Sequence, residues 1–507
     1  MPNNPLILGP IFIPMFFAVI SLALSRFDNR LQRYVALLGS VIGMTCSLIL
    51  VAQNWGIAQA NDGRIPIQVY RLGGWQPPYG ITLTVDLLSS IFGAMAASVM
   101  AICILYAVQC KDKCMTYPIF MPMFLFMNGS LLGCFYTGDI FTLFVFLELL
   151  VLSSVVMVAI ADNKLALEAA MKYLIISAMG SLMLLIGIAA LYASFSTLNF
   201  ADIARLLQTG ERPVLAQAAA VMLTTVFLVK GAIFPFHFWQ PDFHTTAPTP
   251  VSAALSSVVV KVGVYGLLRI VTLLFVDEAG VIEQILIILG IIGIFFGSLG
   301  ALRTHNAKRV LAYSTFGQVG FILVAIGWGN PLALVGAIIY AFNHAFIKSA
   351  LLMLAGVVAS RNVKKTANLK YLTGVGKTFP LVGALYFVGG MSLAGVPPLN
   401  GFISKLAFVR GGISAEGWLA LGLAVGAGII TLLYMSRNYV LIFQQMPNDE
   451  SVELKEEGKG DSALAPFLLV TACVLLGIFA APLVELVSLT VAQMGDPRIY
   501  IQAVFGA

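Results

Sequence analysis

The stretch from Ile285 to Leu302 reads ILIILGIIGIFFGSLGAL, with no charged side chain in eighteen residues. A transmembrane helix needs about 20 apolar residues, whereas a membrane β-strand has roughly ten with alternating polarity. In hydrocarbon, a helix also satisfies its own backbone N–H and C=O groups. The stretch therefore predicts a transmembrane α-helix, and residues 149–160 form a similar apolar run.

Composition extends this prediction to the whole chain. Of its 507 residues, 59% are hydrophobic and 10% are charged, and the mean hydropathy is +0.94. Soluble domains contain about 45–50% apolar and about 25% charged residues. So much apolar surface cannot be buried in one water-soluble core, and the sequence predicts an all-α, polytopic membrane protein.

The length rule predicts about 14 transmembrane helices. Their approximate limits are 5–25, 34–53, 81–108, 117–135, 138–160, 167–194, 213–238, 248–272, 281–302, 309–328, 331–358, 378–412, 417–444 and 464–486. The first span lacks the basic segment and the cleavage site of a signal peptide, so it is expected to remain in the protein.

Lysines and arginines are distributed unevenly between successive loops. Alternate loops hold sixteen of them, whereas the remaining loops and the C-terminal tail hold six. Because cytoplasmic loops carry the basic excess, both termini are expected on the outer side of the plasma membrane. The loop from Pro447 to Asp461 is acidic, and it is either a solvated cytoplasmic loop or a contact with another protein of the same complex.

Two spans are interrupted by proline. The seventh reads FLVKGAIFPFH over 227–237, and the twelfth reads LAGVPPLNGFISK over 393–405. Broken backbone at membrane depth is tolerated only inside protein or beside a water-filled cavity. Breaks five spans apart predict two inverted five-helix repeats, as in many secondary transporters. The expected units are 1–116 (helices 1–3), 117–272 (first repeat, helices 4–8), 273–444 (second repeat, helices 9–13) and 445–507 (acidic loop, helix 14 and tail).

The sequence offers no sign of a bound cofactor. It contains neither a phosphate-binding loop nor a dinucleotide fingerprint after a strand. The six cysteines are scattered, whereas a zinc or iron–sulfur site needs about four clustered ligands. We therefore expect no cofactor and no metal, and the net charge of +6 reflects membrane topology rather than nucleic-acid binding.

Apart from residues at span edges that are counted with the loops, seven basic residues fall within the predicted spans, where an ionisable group costs about 2.5–3.5 kcal/mol or more. They are Lys172, Lys230, Lys261, Arg269, Lys348, Lys405 and Arg437. Lys172, Arg269 and Arg437 lie near helix ends, and we expect them to reach the lipid headgroups. Lys230 and Lys261 lie deeper, as does Glu148, which is expected to pair with a buried lysine. That pair is either structural or a switch that responds to a nearby proton.

His344 and Lys348 lie one helical turn apart on one face of the eleventh span. Histidine titrates near neutral pH, and burial favours the neutral form of lysine, so both suit proton transfer. A core histidine bonded to a carbonyl is the alternative interpretation. Lys405 follows the second break, where it could end a path. Glu148, Lys230, Lys261, His344, Lys348 and Lys405 together predict a proton relay near the membrane midplane.

Three further residues are candidates for proton access to this relay. Asp139 directly follows Gly138 and is a candidate for lining an entrance. His237 and His244 follow the first break on the predicted cytoplasmic side, where they either pass protons inward or cap the loop. Asp86 and Glu168 lie at span ends and are interpreted as helix N-terminal or interfacial carboxylates; these two are not candidates for the relay.

Seven segments together match the pattern of one known family: 138–148 (GDIFTLFVFLE), 230–244 (KGAIFPFHFWQPDFH), 247–253 (APTPVSA), 261–265 (KVGVY), 308–318 (KRVLAYSTFGQ), 343–348 (NHAFIK) and 395–405 (GVPPLNGFISK). On these segments the chain resembles the antiporter-like subunits shared by respiratory complex I, membrane-bound hydrogenases and Mrp-type multisubunit Na⁺/H⁺ antiporters. Within this family, residues 73–81 (GGWQPPYGI), KVGVY and the short C-terminus most resemble the D-type Mrp subunits. Gln240 departs from the family pattern, which commonly has leucine there.

The resemblance implies that Glu148 and Lys230 are a regulating pair, that Lys261 and His344 are central relays, and that Lys405 is the distal gate. It also implies a complex of several membrane subunits. The residues leave open an ion-transporting antiporter subunit for protons and Na⁺, a proton-pumping subunit of a redox complex (an NADH or ferredoxin:quinone oxidoreductase or a membrane-bound hydrogenase), and a non-transporting scaffold. The cost of buried charge argues against the scaffold.

Overall fold

A computed structural model describes residues 3–60, 64–209, 213–446 and 460–506. Within these residues the chain is almost entirely helical, with one antiparallel pair of strands, β1 (Gln68–Arg71) and β2 (Thr82–Val85). Of the acidic loop predicted at 447–461, all but the last two positions lie outside the described residues.

The described residues form twenty α-helices. In chain order they are α1 (Leu8–Leu24), α2 (Asn29–Ala60), α3 (Leu87–Gln109), α4 (Phe120–Tyr136), α5 (Ile140–Ala159), α6 (Lys164–Phe195), α7 (Phe200–Leu207), α8 (Val214–Lys230), α9 (Gln240–Thr246), α10 (Thr249–Ala254), α11 (Lys261–Arg269), α12 (Ala279–Arg303), α13 (Ala307–Gly327), α14 (Pro331–Arg361), α15 (Pro380–Ala394), α16 (Asn400–Ser414), α17 (Trp418–Tyr439), α18 (Leu464–Ile478), α19 (Ala481–Met494) and α20 (Pro497–Phe505). A π-helical turn joins α10 to α11, and the two belong to one helical segment, Thr249–Leu274.

Within the described residues, ten helical segments are long and apolar enough to cross a membrane. The bent pair α18–α19 is an eleventh such segment. The shorter apolar helices α4, α8 and α15 correspond to the three remaining predicted spans. Each predicted span overlaps one of these segments, and the all-α, polytopic prediction is confirmed. The last predicted span, 464–486, is bent in the structure, because α18 and α19 meet at 76°. Phe479 leaves the helical conformation there, and Pro482 in the first turn of α19 has no N–H to donate.

Both predicted breaks are present. α8 ends at Lys230, and regular α-helix resumes only at Gln240. α15 ends at Ala394, where Gly395 adopts a φ of +86°, a left-handed conformation that glycine reaches without steric cost. α16 then begins at Asn400. Each break has a lysine beside it: Lys230 ends α8 at the first, and Lys405 of α16 contacts the Ala394 carbonyl at the second.

The helices sort into a buried centre and a periphery. In the segment Thr249–Leu274 and in helices α13 and α14 almost every residue is buried, whereas only about a third of the residues of α1, α2 and α17 are buried. The centre therefore carries Lys261, His344 and Lys348. The β1–β2 hairpin and α20 lie at the end of the bundle that the loop charges predict to be extracellular. We call it the outer end, and the opposite end the inner end.

Candidate proton path

Glu148 and Lys230 share a serine. Glu148, half-buried on α5, accepts a hydrogen bond from the Ser181 hydroxyl of α6. The same hydroxyl accepts one from the Nζ of Lys230 at 3.2 Å, and Lys230 also donates to the Ser177 carbonyl at 3.4 Å. Ser181 therefore connects the carboxylate to the amine, so that a change in the charge of either group is felt by the other.

Ser181 is a site residue that the sequence interpretation missed. Its signal is weak but present: Ser177 and Ser181 lie four residues apart in an apolar helix and so share one face. Gly180 lies beside them, where an added Cβ would lie 3.3 Å from Val229 of α8. The small residue thus lets α6 approach the end of α8 closely enough for the serine to reach Lys230.

Lys261 and His344 are in direct contact at the centre of the bundle. The Nζ of Lys261 lies 2.7 Å from the Nδ1 of His344, and the two residues are 0% and 1% exposed. Lys261 opens α11 directly after the π-helical turn Leu255–Val259. Such turns are frequent at functional sites. The Nε2 of His344 has no hydrogen-bond partner among the described atoms.

The first helix break, which follows α8, packs closely against α11, the helix that begins with Lys261. A Cβ on Gly263 would lie 2.5 Å from the backbone nitrogen of Gly231 and 2.6 Å from the carbonyl of Phe227. Only glycine allows so close an approach of α11 to the end of α8. This contact places two buried lysines, Lys230 and Lys261, on adjoining elements.

Lys348 begins a second set of polar contacts. Its Nζ donates to the Leu311 carbonyl at 2.7 Å and to the Ser314 hydroxyl, both on α13. One turn further along α13, Gln318 accepts from the Tyr340 hydroxyl at 2.6 Å and donates to Thr431 at 3.5 Å. All of these side chains are buried. A polar strip therefore runs along α13 away from Lys348.

Lys405 lies at the second break. Its Nζ donates to the Ala394 carbonyl, which the break leaves free, at 2.5 Å. The same ammonium lies 5.9 Å from the centre of the Phe321 ring, one turn beyond Gln318 on α13. The strip on α13 thus ends near Lys405. Nearby, Asn343, next to His344, donates to the Ser404 hydroxyl at 3.0 Å and ties α14 to α16.

His244 lies at the inner end of the path. It is 0% exposed, neither ring nitrogen has a hydrogen-bond partner among the described atoms, and the charges of Lys348 and Lys308 both act on it. Lys308, one residue before the predicted span 309–328, is a buried residue of α13. It lines an inner-end cavity of about 190 Å³ together with Lys365 and Asp461.

The other two access candidates have different surroundings. Asp139 caps α5 by accepting from the Thr142 N–H at 2.7 Å, about 13 Å along the helix from Glu148 and at the outer end. His237 packs among aromatic rings: it stacks on Phe234 and meets Phe296 and Phe316 edge-on.

One prediction about the basic residues is wrong. Arg269 does not reach toward headgroups: it is 8% exposed and its guanidinium binds both carboxylate oxygens of Asp86. The proximity of Arg269 to a helix end could not reveal this, because Asp86 is 183 residues away in sequence. Lys172 is part-exposed and paired with Glu168 and Asp242. Arg437 donates to the Leu302 carbonyl and to His305.

Comparison with known proteins places this geometry in context. The family model described as NADH:quinone oxidoreductase/Mrp antiporter, TM, matches residues 137–431. The chain is 32% identical over 504 residues to the D-type subunit of the Na(+)/H(+) antiporter of Alkalihalophilus pseudofirmus, covering 99% of both proteins.

Two solved structures share the fold. A chain of the membrane-bound sulfane sulfur reductase, an archaeal respiratory membrane complex, aligns with a TM-score of 0.88 and 26% identity over 99% of this chain and 100% of that one. A chain of the Mrp complex from Dietzia sp. DQ12-45-1b aligns with a TM-score of 0.87 and 24% identity over 99% of each.

Proposed function

The chain belongs to the NADH:quinone oxidoreductase/Mrp antiporter family, and from this premise we propose that it is the proton-translocating, D-type subunit of a multisubunit Na⁺/H⁺ antiporter. It is a multi-pass membrane protein, and its structural relatives are parts of multisubunit membrane complexes. Other membrane subunits are therefore its partners. Protons, and Na⁺ through the complex as a whole, are the proposed cargo.

The contact between Lys261 and His344 is the observation that carries the proposal. Two groups that exchange protons meet at 2.7 Å in a fully buried position. An amine and an imidazole at this distance can share one proton but cannot easily both be charged. A proton that arrives at one of them therefore favours release from the other.

The proposed route has an inner and an outer half. Protons enter at the inner-end cavity beside Lys308 and reach Lys348 through His244. They pass to the Lys261–His344 pair and along the strip of Ser314 and Gln318 to Lys405. Because hydroxyl and amide groups both donate and accept, this strip can hold the water that a proton wire requires.

Glu148 and Lys230 regulate this route in the proposal. When Glu148 is ionised, it stabilises the charged form of Lys230 through Ser181. Loss of that charge removes the stabilisation and favours release of the Lys230 proton toward the centre of the bundle. The half-buried position of Glu148 lets a neighbouring protein of the complex influence the carboxylate, which couples this chain to the rest of the assembly.

We also propose the domain organisation and orientation predicted from the sequence. Residues 117–272 and 273–444 are the two inverted repeats, each with one broken helix and a lysine beside the break, and 1–116 and 445–507 flank them. Both termini lie on the outer side of the plasma membrane. In support, Lys111 and Asp461, from loops assigned to the same side, contact each other at 2.9 Å.

A proton-pumping subunit of a redox complex is the second candidate function. The similarity to a chain of the sulfane sulfur reductase complex favours it. In that case other subunits would carry out the electron transfer, and this chain would remain a transporter subunit rather than an enzyme.

The intact complex, purified and reconstituted in vesicles, distinguishes the two. We expect Na⁺ addition to drive proton movement, and we expect the complex to lack iron and flavin. A complex that contains iron and flavin and does not respond to Na⁺ would instead establish redox coupling.

A further inference from the structure

Buried polar side chains lead inward from the outer end. They begin at an outer cavity of about 490 Å³ that Gln53 and Gln68 help to line. The Nε2 of Gln68 donates to Gln53 at 3.2 Å and to the side-chain oxygen of Asn54 at 2.9 Å. Gln68 and Asn54 are buried, so this contact extends the hydrogen-bonded polar groups from the cavity into the bundle.

Asn54 continues this polar chain to the start of α3. Its Nδ2 donates to the Ser90 hydroxyl at 2.8 Å, and that hydroxyl donates to the backbone carbonyl of Asp86 at 2.6 Å. Hydroxyl and amide groups both donate and accept hydrogen bonds. The outer cavity is therefore connected to the backbone carbonyl of Asp86 by a chain of hydrogen-bonding side chains.

Arg269 lies on the other side of Asp86 and faces the proposed relay. Its Nε donates to the Tyr265 hydroxyl at 3.1 Å. Lys261, Tyr265 and Arg269 follow one another at intervals of four residues on α11, so they share one face of that helix. The Asp86–Arg269 pair thus stands between the outer polar chain and Lys261.

Their own hydrogen bonds hold both members of the pair in their charged forms. Arg269 donates to the two carboxylate oxygens of Asp86 at 2.6 and 2.7 Å, and a guanidinium is not deprotonated in proteins. Asp86 also accepts from the N–H and the hydroxyl of Ser89 at 2.8 and 2.7 Å. Three of these four hydrogen bonds end on one carboxylate oxygen and the fourth on the other, and together they favour the ionised form of Asp86.

We infer that the Asp86–Arg269 pair is a barrier that keeps protons on Lys261 from reaching the outer cavity, so that they leave through Lys405. This inference rests on the proposed function. A guanidinium cannot pass a proton on, and some membrane pores use an arginine to exclude protons. An antiporter needs such a barrier because a direct leak would dissipate the gradient that it builds.

The test is the passive proton leak of vesicles that contain the intact complex, measured without Na⁺. The double variant Asp86→Asn/Arg269→Gln removes both charges and retains hydrogen-bonding amides. We expect a pH gradient to decay several-fold faster than in the wild type. The matched control is Asp496→Asn/Arg498→Gln, which neutralises an exposed ion pair at the same end and should leave the leak unchanged.

A second variant, Arg269→Lys, covers the case in which the double variant does not assemble. Lysine keeps the charge but can release its proton. We expect a leak that increases with pH. A wild-type leak in an assembled variant, or failure of both variants to assemble, would overturn the inference and make the pair purely structural. The leak is measured without Na⁺ and does not depend on antiport. If the wild-type complex showed no Na⁺-driven exchange in a separate measurement, that result would refute the proposed function but not the barrier.

Discussion

The amine of Lys261 and the imidazole of His344 lie 2.7 Å apart, although the two residues are 83 positions apart in sequence. Only one nitrogen of the imidazole is used in this contact; the other has no partner among the described atoms. A histidine held at one nitrogen and open at the other can take a proton on one side and release it on the other.

Replacement of His344 by alanine should slow proton transfer, because the remaining amine has no titratable neighbour at hydrogen-bond distance. Na⁺-driven pH change in vesicles is the measurement, taken across a range of pH. His305→Ala is the control, since His305 is an exposed loop histidine. An unchanged pH profile for His344→Ala would remove this residue from the relay.

Loss of the Ser181 hydroxyl should weaken the coupling between Glu148 and Lys230. A hydrogen bond to a charged group contributes about 1.5–3 kcal/mol. Ser181→Ala should therefore lower the exchange rate roughly tenfold or more, since about 1.4 kcal/mol corresponds to a factor of ten. Ser194→Ala, which removes a hydroxyl bonded only within the same helix, should have no effect. Equal rates for the two variants would contradict the role of Ser181.

Glu148→Ala and Lys230→Ala should each abolish exchange while the complex still assembles. Without its partner, the remaining charge no longer responds to protons arriving nearby. Assembly is followed on native gels, and exchange in vesicles. Lys172→Ala provides a comparison, because that lysine is part-exposed in a surface ion pair. Normal exchange by both pair variants would refute the assigned pair.

The contact between Gly263 and the first break should not tolerate a side chain. In Gly263→Ala, the new Cβ would come within 2.6 Å of three backbone atoms at the end of α8. Overpacking of this kind costs about 1–3 kcal/mol. We expect a lower melting temperature for the complex. Gly422→Ala, where an added Cβ meets nothing within 4 Å, should melt like the wild type; similar melting of both variants would show that the contact is loose.

The sequence predicted the features that depend on a continuous stretch of residues. Long apolar runs gave the spans, prolines gave both breaks, and charge in an apolar run identified residues such as Lys230 and Lys261. Features that depend on helices meeting in space were missed. In the sequence, Ser181 is one serine among many, and only the packing of α6 on α8 brings its hydroxyl to Lys230. Arg269 was wrongly expected at the headgroups because only the folded bundle brings Asp86 to it.

The central claim is that Lys261 gives up and regains a proton during each transport cycle. Lys261→Arg tests this directly, because arginine preserves the positive charge but cannot release its proton. The measurement is the pH change that Na⁺ drives in vesicles containing the assembled complex. We predict no Na⁺-driven pH change for Lys261→Arg, and a rate equal to that of the wild type would contradict the account.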